Sequence, residues 1–255
     1  MTKSKQTSPK KSDRTRKPSL GNTLWDNFKQ ILAAVVMALV IKTSIVEAYK
    51  IPSQSMEDTL LVGDFLLANK FIYGARLPLV NWRLPSIREP RTGDVVIFIY
   101  PVDGVTKYIK RCVATAGDTV VVKDKILYVN GIRFPDPVLS KFIDTTPDGR
   151  LVVQPRRPGG VDSRDNFGPF IVPRNRYFMM GDNRDNSYDS RYWGAVHEDL
   201  ILGEAILIHW SWDDSAHPSP EVSVSDPLSV PRMFIYNAVH FFEKVRWGRL
   251  FGLIS

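Results

Sequence analysis

The chain has little of what most hydrolases and redox enzymes use. One cysteine, Cys112, stands alone among 255 residues, so no intrachain disulfide forms and the redox compartment cannot be read from it. Four histidines, His197, His209, His217 and His240, show no metal-ligand spacing. His197-Glu198 opens like a zinc-protease helix, but Ile201 stands where the second histidine belongs. There is no G-x-S-x-G and no phosphate-binding loop. An Asp- and Asn-rich stretch from Gly181 lacks the closing glutamate of a calcium loop. No metal and no organic cofactor is therefore expected. No internal repeat is present.

The formal net charge of +7 suggests a nucleic-acid binder until it is located. Residues 1–19 hold Lys3, Lys5, Lys10, Lys11, Arg14, Arg16 and Lys17 against Asp13 alone, which leaves +1 for the rest. No aromatic residue interleaves with these charges, so nucleic acid is not the expected partner. A basic tail before an apolar run reads as a cytoplasmic flank. The run ILAAVVMALVIKTSIV ends at Val46 and lies near the lower limit of about 17 residues for spanning a bilayer. Lys42 interrupts it close enough to one end to snorkel, and Leu24, Trp25 and Phe28 extend it toward the tail. A cleavable signal peptide with Val46-Glu47-Ala48 as its cleavage site and a buried helix of a soluble domain are the alternatives. A retained anchor is favoured, because tail charge and apolar run agree. The expected organisation is a cytoplasmic tail at 1–24, a transmembrane anchor at 25–47, and an exported domain at 48–255.

Beyond Tyr49 the pattern turns to β. Strand-like runs rich in Val, Ile, Tyr and Phe fall at Phe65–Ala68, Val95–Tyr100, Tyr108–Val113, Thr119–Val122, Ile126–Val129, Leu151–Val153, Tyr177–Met180 and Ala205–Trp210. Gly63-Asp64, Gly93-Asp94, Gly117-Asp118 and Asn130-Gly131 supply turns. Many short strands and few helices predict a mostly β fold of antiparallel sheets, folded over or barrel-like. Residues 134–170 read as a loop-rich excursion with room for one hairpin. A second polar stretch, Asp213 to Val230, leads to a segment from Met233 to Ile254 that mixes Phe, Trp, Ile and Leu with Arg and Lys. It suits either a membrane surface or a final helix or strand packed on the domain.

Three segments combine hydroxyl or charged residues with tight turns: Ile51-Pro52-Ser53-Gln54-Ser55-Met56, Tyr108-Ile109-Lys110-Arg111, and Gly181 to Gly194. Taken singly each has an ordinary reading. The first is a proline-initiated turn whose serines cap it. The second is a strand with a solvent-facing lysine, Lys110 and Cys112 sharing a face with Tyr108. The third is a polar loop with ion pairs.

Together they change the reading. Pro52-Ser53-x-Ser55-Met56, GDFLLANKFIYG (63–74), GDVVIFIYP (93–101), YIKR with AGD (108–118) and GDNRDNSYDSRYWG (181–194) follow one another in an order that resembles bacterial type I signal peptidases, the leader peptidases. The likeness runs from about Phe28 to Trp212. It implies a serine–lysine endopeptidase of the inner membrane that removes signal peptides from exported preproteins, with its catalytic domain on the outer face and the bilayer as a second partner. A monomer is presumed.

In that family Ser55 would be the nucleophile and Lys110 its general base. A serine hydroxyl needs such a partner, and the amine serves only when burial depresses its pKa. Ser187 would hydrogen-bond Lys110. Ser53 would join the Ser55 backbone N–H in an oxyanion hole, and Asp182 with Arg111 and Asp189 with Arg191 would brace the site. Tyr49, Ile51, Pro52, Met56, Leu60, Tyr108 and Ile109 match the positions that line the pockets for small substrate residues; core packing is an ordinary reading of Leu60 and Ile109. Two departures stand out: Asp58 replaces a usual proline, and Cys112 a usual small apolar residue. A cysteine nucleophile is the lesser alternative. The rival functions are a soluble self-cleaving regulator with the same pair, disfavoured because no helix-turn-helix pattern is found in the first 50 residues, and a non-catalytic membrane-anchored β adaptor.

Overall fold

β-Branched and aromatic runs bounded by Gly-Asp and Asn-Gly pairs become antiparallel strands in the computed structural model, which describes residues 20–44, 46–74, 83–148, 150–156, 162 and 164–254. The larger sheet takes β1 (Val46–Lys50), β2 (Asp64–Asn69), β3 (Val95–Ile99), β4 (Lys107–Ala114), β9 (Arg176–Met180), β10 (Val196–His197), β11 (Ile201–Ser211) and β12 (Gly252–Leu253). Its order is β1-β2-β11-β3-β4-β9-β10, with β12 also paired to β11. The smaller sheet, ordered β7-β6-β5-β8, takes β5 (Thr119–Lys123), β6 (Ile126–Val129), β7 (Ile132–Arg133) and β8 (Phe167–Ile171). Asn130 and Gly131 both adopt positive φ, 53° and 78°, which is what a two-residue hairpin between β6 and β7 requires.

Register shifts interrupt β11 at Ile201/Gly203, Ala205/Leu207 and Ile208/Trp210, and β4 at Cys112/Ala114. An extra residue bends and twists a strand. β11 can therefore pair with β2, β3 and β12 along its length. Among the described residues the hydrogen-bonded path does not return from β10 to β1.

Three apolar clusters fill the domain. Tyr49, Ile51, Met56, Leu60, Leu66, Val95, Ile97 and Ile208 pack beneath the β1–β2–β11–β3 part of the sheet. Phe98, Cys112, Met179 and Val196 pack elsewhere in the same sheet. Val113, Val120, Leu127, Phe167 and Phe178 join the two sheets.

Several expectations need correction. Leu151–Val153 is not a strand: Leu151 forms one bridge to Thr145, and Val152 and Val153 are exposed beside it without a ladder. The excursion after Phe134 instead contributes β8, whose Gly168-Pro169 disguises it in the sequence. The segment from Met233 folds as α3 (Ser229–Val239) and α4 (Phe241–Lys244), then returns to the sheet as β12. The Arg249 guanidinium meets the buried Asp64 carboxylate at 2.6 Å.

At the N-terminus, α1 covers Leu20–Ser44, and the basic tail of 1–19 lies outside the described residues. Trp25 stacks on Phe28 at 5.6 Å, and Ile31, Leu32, Val35 and Met37 are exposed. Among the described residues no helix is long and apolar enough to cross a membrane. Only Ile31 to Ile41 is wholly apolar, about 16 Å of helix against a hydrocarbon layer about 30 Å thick. The helix also stops at Ser44; Val46 and Glu47, the last residues of the expected span, belong to β1.

Candidate active site

Pro52 ends the extended path of β1 and turns the chain into a short 3-10 turn, Gln54–Met56, which carries Ser55 at the edge of the first core cluster. Met56 is the apolar anchor of this turn, 2% exposed. Lys110 comes from β4, paired with Val96 of β3. Although separated from Ser55 by 55 positions, its Nζ donates a short hydrogen bond to the Ser55 Oγ. The Ser53 Oγ lies 3.3 Å from the Ser55 Oγ.

The lysine is 4% exposed. Loss of hydration disfavours its ammonium, and this outweighs the pull of Asp189 and Asp182, so the amine is pushed down to about 8. Its neutral form is thereby within reach of mildly alkaline conditions.

The loop from Gly181 to Gly194 braces both elements. Asp182 takes a two-pronged contact from Arg111, Nε to Oδ1 at 2.9 Å and Nη2 to Oδ2 at 2.7 Å, and accepts the Thr59 hydroxyl at 2.7 Å. Asp189 receives Arg191 the same way, at 2.9 and 2.8 Å. It also accepts the Gly181 N–H at 3.1 Å and caps α2 (Ser190–Trp193). Burial would raise the Asp189 carboxyl, but the Arg191 guanidinium holds it below its usual range. A third buried pair, Lys125 with Asp185 at 2.5 Å, fixes the middle of the loop. Charges this dry keep their fold only as pairs, since removing one partner costs about 3–5 kcal/mol.

The same loop holds the serine turn through Asn183. Its N–H donates to the Ser55 carbonyl at 3.2 Å and its side chain to the Gln54 carbonyl at 3.1 Å. Gly181 allows this approach: a β-carbon there would lie 2.3 Å from the Ser187 Oγ and 2.4 Å from the Ser55 carbonyl oxygen. Ser187 is thus in the site, yet its buried Oγ makes no hydrogen bond to Lys110 and lies instead beside the Asp189 carboxylate. The expected contact to Lys110 is not formed, because the amine is turned toward Ser55.

A cleft of about 480 Å³ opens over the serine, walled by residues 49–56 on one side and 106–110 on the other, with Asn186 and Tyr188 at its margin. Tyr49, Ile51, Pro52, Met56, Tyr108 and Ile109 line it. Leu60 does not; it is fully buried in the first core cluster. Among the described residues β1 pairs only with β2. β9 pairs with β4 only from Arg111 onward, which leaves one edge of Lys107–Ile109 open. Two strand edges therefore face the cleft. Glu47 ties them together, accepting Lys107 at 2.9 Å, Tyr49 at 2.8 Å and Lys70 at 3.1 Å. Burial works against its charge, but these donors prevail and hold the carboxyl at about 2.

The two departures noted in the sequence have structural counterparts. Asp58 has φ of 75°, which a proline, locked near −65°, cannot adopt. Cys112 is fully buried, and desolvation pushes its thiol up, the wrong direction for a nucleophile. Sequence reasoning missed Asn183 and Glu47. Asn183 lies inside the quoted loop and holds the serine turn through both its backbone N–H and its side-chain amide, and Glu47 was hidden in the apolar run's end.

A hydroxyl in contact with a buried amine, below two open strand edges, suits acyl transfer from a peptide to serine. Comparison with known proteins puts the enzyme class on independent ground. The model of the family described as signal peptidase, peptidase S26, matches residues 24–210. The chain is 39% identical over 209 residues to signal peptidase I of Pseudomonas aeruginosa, covering 73% of this chain and 72% of the relative. It is 38% identical to that of Pseudomonas fluorescens, covering 76% and 74%, and 33% identical to that of Aquifex aeolicus, covering 81% and 91%. A solved signal peptidase I from Enterococcus faecalis, 27% identical, overlaps 47% of this chain and 98% of its own with a TM-score of 0.34, too loose an overlap to bear on the fold. The chain is a serine endopeptidase. It belongs to the signal peptidase family, peptidase S26.

Proposed function

We propose that this enzyme removes signal peptides from exported preproteins through an acyl-enzyme on Ser55, with Lys110 as general base. The observation that carries the reading is the contact between the Lys110 amine and the Ser55 hydroxyl in a buried setting. The neutral amine takes the proton as Ser55 Oγ attacks the scissile carbonyl, then returns it to the leaving amine; water deacylates the ester by the same route. The Ser55 N–H and the Ser53 hydroxyl stabilise the oxyanion, each donor being worth about 3 kcal/mol in such sites. Ser187, buried beside Asp189, is the group available to orient the amine once Ser55 is acylated. The substrate enters as an extended segment against the open edges of β1 and β4 and places alternate side chains in the cleft. Six of the seven residues carried over from the family resemblance line that cleft.

Membrane anchoring through α1, ahead of the β1 strand that begins at Val46, belongs to the same proposal, with the N-terminus cytoplasmic and the catalytic domain outside. The exposed apolar side chains of α1 support it.

Processing of a purified preprotein by the wild-type enzyme and by Ser55→Ala and Lys110→Ala variants tests the chemistry. Loss of cleavage in both is expected; full activity in either rules out the pair. Carbonate extraction of membranes tests the anchor, and release of the full chain into the supernatant overturns it.

A further inference from the structure

His217 and His240 are 23 positions apart and have no metal-ligand spacing in the sequence. The fold brings them together on the C-terminal segment. Their rings stack with centroids 4.5 Å apart and 17° between planes. Glu243, one helical turn beyond His240, points a single carboxylate oxygen at both. Its Oε2 lies 3.1 Å from the His217 Nε2 and 2.8 Å from the His240 Nδ1. All three ligand atoms fall within 4.8 Å of one another.

We propose that His217, His240 and Glu243 form a binding site for a first-row divalent cation, best suited to Zn²⁺. Zinc takes imidazole nitrogen at about 2.0–2.1 Å and carboxylate oxygen at about 2.0–2.2 Å in a tetrahedron, which sets ligand-to-ligand edges of roughly 3.3 Å. The two observed edges, 3.1 and 2.8 Å, are within about half an ångström of that; the rings now lie nearly parallel, so binding requires them to turn about their Cβ–Cγ bonds until both nitrogens face one point. Two imidazoles and one carboxylate are also the donor set that favours zinc over calcium or magnesium, which prefer oxygen cages.

In the metal-free protein the Glu243 carboxylate is placed to accept an N–H from each imidazole, and a bound cation would take the place of those two protons. The nearby Lys244 ammonium does not occupy the site. It is already taken by Asp214 at 2.6 Å, the Asn237 Oδ1 at 2.7 Å and the Ser219 Oγ at 2.8 Å. Tyr236 packs against the His240 ring with centroids 4.5 Å apart.

The site is structural. None of its three residues lines the cleft over Ser55. His217 comes from the polar stretch after Asp213, while His240 and Glu243 lie where α3 meets α4. A bound ion would clamp that stretch to the two helices, and the fourth position is left for water.

The test uses the full chain in detergent, without a histidine tag, titrated with Zn²⁺ alone and then with Co²⁺ for its visible spectrum. One equivalent of Zn²⁺ is expected to bind, with a tetrahedral cobalt band and a rise in Tm that grows with zinc concentration. His217→Gln, made in the polar stretch and checked for unchanged processing activity as proof of folding, should weaken binding by roughly tenfold or more. Glu243→Gln should do the same. Absence of saturable binding in the wild type overturns the site, as does binding that survives unchanged in both variants. Because processing activity is read separately, failure of the metal site leaves the peptidase reading untouched.

Discussion

Replacing Lys110 with methionine separates two consequences of burying an amine. The side chain keeps its length and apolar stem, but the charge goes. In the folded protein the amine is pushed down to about 8 from its ordinary 10.5. At about 1.4 kcal/mol per pH unit, the folded state at pH 7 pays about 3 kcal/mol to hold the ammonium. The sign follows from proton counting. Between about 8 and 10.5 the unfolded chain binds a proton that the folded chain does not, so wild-type stability rises with pH through this window. Below about 8 both states are protonated and the penalty is complete; above 10.5 it is gone. Lys110→Met also loses the hydrogen bond to Ser55, worth about 1 kcal/mol. The variant should therefore be about 2 kcal/mol more stable than wild type at pH 7 and slightly less stable near pH 10.5, while having no peptidase activity. Urea unfolding of both proteins at pH 7, 9 and 10.5 measures this directly. A variant less stable by the same margin at every pH would refute the claim that the amine is desolvated. The same burial sets the wild-type rate: kcat/KM should fall about tenfold per pH unit below about 8.

Gly181→Ala should cut kcat/KM by about 10²-fold or more, because the new methyl group meets the Ser55 carbonyl oxygen at 2.4 Å and displaces the nucleophile; steady-state kinetics on a peptide substrate reads it. Ser53→Ala should lower kcat by about 10²–10³ with little change in KM, and an equal change in KM alone would assign Ser53 to binding. Cys112 should resist alkylation in the folded enzyme, since it is buried with a raised thiol; intact-mass measurement after iodoacetamide treatment checks this, and activity should survive.

The β pattern was legible where strands are short, apolar and bounded by turn pairs. Thr119–Lys123 and Ile126–Val129, with Asn130-Gly131 after them, needed no tertiary information. β1 was not legible, because Val46-Glu47 reads as the end of an apolar helix until β2 is there to pair with it. β8 was masked by Gly168-Pro169, and Leu151–Val153 had strand composition but no partner. The site shows the same division. No periodicity links a turn serine to a strand lysine 55 residues later; only the family resemblance did so. Leu60 illustrates the limit of such a carry-over, since a residue one turn beyond the serine segment faces the core here. The clasp of Asn183 on the Ser55 carbonyl uses backbone atoms, which residue types do not report. His217 and His240 meet only because α3 and α4 fold back toward the polar stretch.

The account stands or falls on which atom the substrate's acyl group joins. Rapid acid quench of the enzyme with an excess of an ester substrate, followed by proteolysis and mass spectrometry, locates it. An acyl adduct on the peptide containing Ser55, present at pH 9 and absent in Lys110→Met, is the expected result. An adduct on Ser53, Ser187 or Cys112, or steady turnover with Ser55→Ala, would contradict it.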